Sequence, residues 1–164
     1  MDTFEAISKR KSVREFLDKP VEKDKLEKII DAARRAPTAR GEEPWEFIAV
    51  TGQGSIKELA GITDHGKFLA NAKACVAIFC KDTKYYLEDG CAACENLLLA
   101  AASLGISACW IAGDKKPYAP GIAGALNVPS GFKLVSIVAL GYSKDVSGNK
   151  KQRSLKEVLH WEKF

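Results

Sequence analysis

Glu95-Asn96-Leu97-Leu98-Leu99-Ala100-Ala101, running on through Gly105 to Trp110, carries the strongest structural signal in this chain. It belongs to a segment, Leu87 to Leu104, that is apolar almost all the way round when wound at about 3.6 residues per turn. Such a helix is buried on most sides, unlike an amphipathic surface helix. Gly105 should end it, since glycine takes the left-handed backbone that closes many helices. Ala108 to Ala112 then reads as a strand.

Outward from this centre, Cys75 to Cys80 is a continuous apolar run, hence a buried strand, and Trp45 to Val50 is another. Gly66 to Ala72 reads as helical, and Ser55 to Ala60 as a short helix capped by Ser55. Glu22 to Arg35 repeats Leu26, Ile29, Ile30 and Ala33 at a helical period. Lys19-Pro20-Val21 breaks the chain before it, and Thr3 to Arg10 is a first helix with Phe4 and Ile7 on one face. Toward the other terminus, Pro117 to Leu126 is a short helical segment and Lys133 to Tyr142 a central strand. Ser143 to Arg153 is polar and loop-like, and Ser154 to Leu159 makes a final helical turn or two. Four strands interspersed with helices, taken alone, suggest a doubly wound parallel sheet. Periodicity cannot decide strand direction.

The 164 residues form one expected domain, 1–164, without repeat or linker. A net charge of +4 is compatible with an anionic cofactor or substrate and too small for a nucleic-acid-binding stripe. The longest nearly apolar stretch, Leu97 to Ala102, is too short to span a bilayer. The start, MDTFEAISKRKS, lacks the apolar core of a signal peptide. A cytoplasmic location is therefore expected, with the five cysteines mostly reduced.

Two basic clusters frame the chain: Arg10-Lys11-Ser12-Val13-Arg14, and Lys150-Lys151-Gln152-Arg153. Arg offers a two-pronged donor and Ser a further hydrogen bond, so the pair suits a phosphate gripped from both ends. The same residues also fit a plainly solvated cationic surface. Neither of the two commonest glycine-rich phosphate cradles is present, so side chains would do most of the holding.

Four stretches in order are similar to the nitroreductase-like family of FMN-dependent oxidoreductases. Arg10-Lys11-Ser12-Val13-Arg14 resembles that family's opening of Arg, a basic residue, Ser, any residue, then Arg or Lys. Ala36-Pro37-Thr38-Ala39-Arg40-Gly41-Glu42-Glu43-Pro44-Trp45 resembles its next loop, with Gly41 where Asn is frequent and Glu43 where Gln is frequent. Glu95 to Trp110 resembles its central helix and following strand. Leu140-Gly141-Tyr142, with Lys151 and Arg153, resembles its closing motif.

The resemblance implies an α+β fold, a mixed and mostly antiparallel sheet flanked by helices, in an intertwined homodimer with FMN at the interface. It implies that Arg10 and Ser12 hold the phosphate and ribityl chain from one side, with Lys11 also among the cofactor-binding residues, and that Lys151 and Arg153 close on the phosphate from the other. Arg14 would face the pyrimidine edge, where a fixed cation favours the negatively charged reduced ring. Pro37, Thr38, Ala39 and Gly41 would line the flavin, commonly from the second subunit. Glu43 could pair instead with Arg40 or Arg14, and Trp45 reads as core rather than stacker. Trp110-Ile111-Ala112-Gly113 would pass flavin N5 with a backbone N–H, Gly113 allowing close approach. The tail with Trp161 and Phe164 suits packing on a partner subunit; folding back on its own subunit is the alternative.

Function follows from the cofactor. Hydride from NADH or NADPH would reach N5 and electrons would pass to a small acceptor such as a nitroaromatic or quinone, by ping-pong turnover. No catalytic side chain and no metal is required. The alternatives are a flavin carrier, store or sensor without fast turnover, and a thiol redox protein using Cys91-x-x-Cys94. Cys75 and Cys80 should point to opposite faces of their strand, which argues against a four-cysteine metal site, and small core residues are the plainer reading. His65 and His160 are the only histidines, and His65 reads as a surface or capping residue. The bare stretch between Cys80 and Tyr85, where longer members insert lid helices, implies an open, weakly selective pocket or one completed by something else.

Overall fold

A computed structural model describes residues 1–144 and 152–164. Its elements are α1 (Thr3–Lys9), α2 (Lys23–Ala33), β1 (Trp45–Val50), α3 (Gln53–Ile62), β2 (Ala74–Lys81), α4 (Tyr86–Ser103), β3 (Ser107–Ala112), α5 (Ala119–Ala125) and β4 (Phe132–Gly141), in that order. The strands form one sheet in the order β1-β2-β4-β3, and every neighbouring pair is antiparallel. An isolated parallel bridge between Ser12 and Ala108 supplies the mixed character.

The doubly wound parallel sheet is thus corrected. β2 and β4 are apolar on both faces because both faces are covered, not because the strands run parallel. Ala74, Val76, Ile78 and Cys80 belong to the core shared with α2 and α4. Cys75, Ala77 and Phe79 belong to the core shared with α3 and α5. Cys75 and Cys80 do lie on opposite faces. A register shift beside Phe79 makes Val135 an extra residue in β4. Val135 packs in the α4-side core, and the neighbouring Ser136 hydroxyl lies 3.4 Å from Cys94 Sγ on the same helix.

α4 lies on the sheet through Ala93, Cys94, Leu97, Leu98 and Ala101, all buried. α2 covers its flank, tied by the Asn96 amide donating to the Ala32 carbonyl at 3.1 Å. Cys91, Ala92, Leu99 and Ala102 remain half-buried. Gly105 closes the helix at φ +72°, with Ile106 N–H reaching back to the Ala101 carbonyl at 2.8 Å.

One local boundary is corrected, and two short helical segments take the tighter 3-10 form. α3 begins at Gln53 after Gly52, so Ser55 sits inside the first turn and caps nothing. The Gln53 amide fixes that earlier start by donating to the Ala70 carbonyl at 2.9 Å. Gly66 to Ala72 is a short 3-10 turn at Lys67–Asn71, and the final helical segment is a 3-10 turn at Leu155–Glu157. The latter is held by a reciprocal cap between Ser154 and Glu157.

Candidate functional site

The first basic cluster leaves α1 and becomes an edge companion of β3. Arg10 closes α1 by donating its N–H to the Ala6 carbonyl at 2.9 Å. The chain then extends, Ser12 bridges Ala108, and Val13 N–H donates to the Ala108 carbonyl at 2.9 Å. Val13 is buried, so side-chain alternation turns Ser12 and Arg14 to the opposite side. Both reach Cys109: burial pushes that thiol up, while the Arg14 charge and the Ser12 hydroxyl bring it down. The Arg14 guanidinium also lies 5.6 Å from the Phe68 ring centre. Arg10 Nε sits 3.8 Å from Glu95 Oε1, an ion pair too long to be a hydrogen bond, with Glu95 half-exposed. Such a pair is weak, so it does not commit the guanidinium fork. Lys9, Arg10 and Lys11 together border a cavity of about 420 Å³ against Leu98, Ala102 and Ile106.

β3 is the outer strand on its side of the sheet. Gly113 N–H donates to the Val135 carbonyl at 3.0 Å, which fixes the ladder's phase. In an antiparallel pair alternate residues turn their backbone groups toward the neighbour. Ile111 therefore faces β4, while Trp110 and Ala112 turn their N–H groups outward. Within Trp110–Gly113, Gly113 commits its N–H inside the sheet. Its missing Cβ serves Leu134, whose Cγ would stand 2.5 Å from that atom. The outward donor nearest the strand end is Ala112, whose carbonyl accepts from the Tyr118 hydroxyl. Ser12 companions the strand only at its start, and Ala108 to Ala112 spans about 13 Å. That length has room for a phosphate at one end and an aromatic ring at the other.

The loop from Ala36 to Trp45 is held by a residue that sequence reasoning missed. Asp89, buried in the first turn of α4, accepts from Thr38 Oγ1 at 2.7 Å and from Ala39 N–H at 3.0 and 3.2 Å. Thr38 Oγ1 in turn accepts from Glu43 N–H at 3.0 Å. The signal was available: two acids, Glu88 and Asp89, stand together in the first turn of a helix otherwise built for burial. Gly41 has φ +67° and nothing within 4 Å of a Cβ position. Asn and Gly are the residues that tolerate such backbone, so Gly41 keeps the turn and gives up a side-chain amide. Pro37 is exposed. Among the described residues Glu43 pairs with neither Arg40 nor Arg14, and Arg40 lies over Tyr85 at 5.9 Å instead. Trp45 is core.

Lys150 and Lys151 lie outside the described residues. Arg153 is exposed and donates to the Glu157 carbonyl; no described contact joins it to Arg10. Phe4 is 84%, Trp161 79% and Phe164 106% exposed, so the tail does not fold into the core of its own subunit. His160 stacks on Phe164 at 4.2 Å, and His65 is exposed. All five cysteines are free, and burial pushes Cys75, Cys80 and Cys94 up to about 12. The connection from β2 to α4 is short, with no helix of its own. A cavity of about 620 Å³ lies between α5 and the ends of β3 and β4. It is larger than the one beside Arg10, but each lysine on its rim has an aspartate: Lys115 with Asp114, Lys116 with Asp64, Lys133 with Asp82. It therefore gathers no unbalanced charge for an anion. Among the described residues no helix is long and apolar enough to cross a membrane.

A protein of Archaeoglobus fulgidus named "Putative NADH dehydrogenase/NAD(P)H nitroreductase" is 33% identical over 152 residues, covering 88% of this chain and 87% of its own length. A crystal structure of a protein of the same name from Parabacteroides distasonis superimposes with a TM-score of 0.92 at 30% identity, covering 99% of this chain and 98% of that one. A nitroreductase with bound FMN from Bacteroides fragilis superimposes with a TM-score of 0.82 at 27% identity, covering 99% and 100%. With residues 2–164 matched by the family described as "Putative TM nitroreductase", the chain belongs to the nitroreductase family.

Proposed function

We propose that this protein is an FMN-dependent oxidoreductase that takes electrons from NADH or NADPH and delivers them to a small acceptor, a nitroaromatic or a quinone. The observation that carries this reading is the juxtaposition of the Arg10–Arg14 segment with the outward N–H edge of β3. Cations at the start of that edge and outward N–H donors at its end, unpaired among the described residues, match a ligand with a phosphate at one end and a hydrogen-bonding ring at the other. The bound FMN in a structural relative of the same family supports the choice of ligand.

When bound, FMN supplies hydride acceptance from the nicotinamide and electron delivery to the acceptor. The side chains do the rest. Arg10, Lys11 and Ser12 hold the phosphate, and Lys151 and Arg153 close on it from the other terminus. Charge-assisted bonds of this kind contribute about 1.5–3 kcal/mol each. The Arg14 guanidinium holds positive charge beside the pyrimidine edge of the ring. Ala112 N–H hydrogen-bonds the ring edge. Pro37, Thr38, Ala39 and Gly41 wall the pocket from a second subunit.

Residues 1–164 act as one domain in a cytoplasmic homodimer, in which Phe4, Trp161 and Phe164 are covered by the partner. Apolar side chains this exposed in one protomer are what such an interface uses. With no helix between β2 and α4, the pocket is open, so donor and acceptor use it in turn.

The test is to purify the protein, identify any released chromophore, and follow NADH and NADPH oxidation with a nitroaromatic and a quinone. FMN release with turnover is the expected result. A colourless protein that refuses FMN overturns the reading. A yellow protein without turnover on either acceptor favours a flavin carrier, store or sensor.

A further inference from the structure

We propose that Asp89 is a positioning residue for the flavin, acting through the loop at Thr38 and Ala39. This rests on the flavin reading above. Asp89 is 4% exposed, and a carboxylate so deep is unfavourable unless it is fully hydrogen-bonded. Among the described residues it forms no ion pair. Both its oxygens are instead aimed at one loop, on the Thr38 hydroxyl and the Ala39 N–H. An apolar residue would serve the packing of α4 equally well; only the loop needs the carboxylate.

Thr38 relays the hold. Its oxygen donates to Asp89 and accepts from Glu43 N–H, so one carboxylate fixes residues 38, 39 and 43. Between and at these points lie Arg40 at φ 60°, Gly41 at φ 67° and Glu43 at φ 42°. Two of these three are not glycine, and such backbone persists only where its surroundings over-determine it.

The anchor itself is seated on the strand frame. Gly90, next in α4, packs so closely on Val135 that an added Cβ would stand 2.6 Å from Val135 Cγ2. The Val135 carbonyl is the one that accepts Gly113 N–H at the end of β3. Asp89 thus sets the height of the Thr38–Ala39 loop relative to the same β4 residue that phases the outward N–H of Ala112. Each protomer's loop, which walls the pocket of its partner, is thereby seated on that protomer's own sheet.

Asn in place of Asp89 keeps the shape but offers one acceptor oxygen to two donors, and turns an N–H₂ toward one of them. The experiment titrates FMN into full-length apo Asp89→Asn, Thr38→Ala and Thr38→Ser, reading the dissociation constant by flavin fluorescence and the bound flavin's visible spectrum. Far-UV circular dichroism of each apo protein runs alongside. Asp89→Asn and Thr38→Ala should weaken FMN by about tenfold or more and shift the spectrum, while Thr38→Ser restores near-wild-type binding. If Asp89→Asn fails to fold, the Thr38 pair decides alone. Unchanged affinity and spectrum in Thr38→Ala, with wild type binding FMN, overturn this proposal only. A wild type that does not bind FMN overturns the flavin reading, and this one with it.

Discussion

Val13 donates its N–H to the Ala108 carbonyl at 2.9 Å, and through that bond the basic segment after α1 becomes the neighbour of the β3 edge. The bond joins residues 95 positions apart and aligns Ser12 and Arg14 with the strand that ends at Ala112. This arrangement sets cations at the start of the edge and outward N–H donors at its end.

Arg10→Ala should weaken FMN binding by about tenfold or more, the loss of one charge-assisted contact. Arg153→Ala should do the same. Equilibrium titration of the apo variants measures both. Retention at wild-type affinity in both would place the phosphate site elsewhere.

Gly113→Ala should destabilise the apo protein by about 1–3 kcal/mol through overpacking. The new methyl would lie 2.5 Å from Leu134 Cγ and 3.1 Å from the Val135 carbonyl carbon, and the backbone has little freedom to yield. Urea denaturation of wild type and variant measures the difference. An unchanged midpoint would mean that this residue was selected for flavin approach and not for packing.

The thiols give a pH expectation. Cys75, Cys80 and Cys94 ionise near 9.0 when unfolded and near 12 when folded, because burial opposes the thiolate. Their folded-state values are raised, so their contribution to stability is intact below pH 9 and is lost as pH climbs from 9 toward 12. Thermal unfolding followed across that window should show the decline. Replacing Cys91 and Cys94 by Ala should leave nitroaromatic reduction in place. Abolished turnover would revive the thiol redox reading.

Much of the fold was legible because burial and periodicity go together. The limits of β1 follow directly from Trp45 to Val50, and the end of α4 follows from Gly105. Strand direction was not legible. β2 and β4 carry the double-sided apolar pattern of parallel strands because α2 and α4 cover one face and α3 and α5 the other. At the site, the basic segment and the strand end could be named from sequence. Which N–H faces out could not, since that depends on the ladder phase set by Gly113 and Val135. Asp89 escaped because its partners lie 50 and 51 residues away.

Association should depend on the exposed aromatic residues. Phe4→Asp and Trp161→Asp should each shift the sedimentation coefficient from dimer toward monomer at micromolar protein. A wild type that sediments as a monomer with FMN bound would show that the pocket needs no second subunit.

Ala112→Pro tests the β3 edge most directly. Proline removes the outward Ala112 N–H proposed to reach the ring, and an outward-facing edge position tolerates the proline ring without breaking the β3–β4 ladder. Apo Ala112→Pro should keep its secondary structure, while the bound flavin's reduction potential moves and FMN affinity falls. A variant that folds and holds FMN with the potential and affinity of the wild type would contradict the assignment of this edge as the flavin cradle.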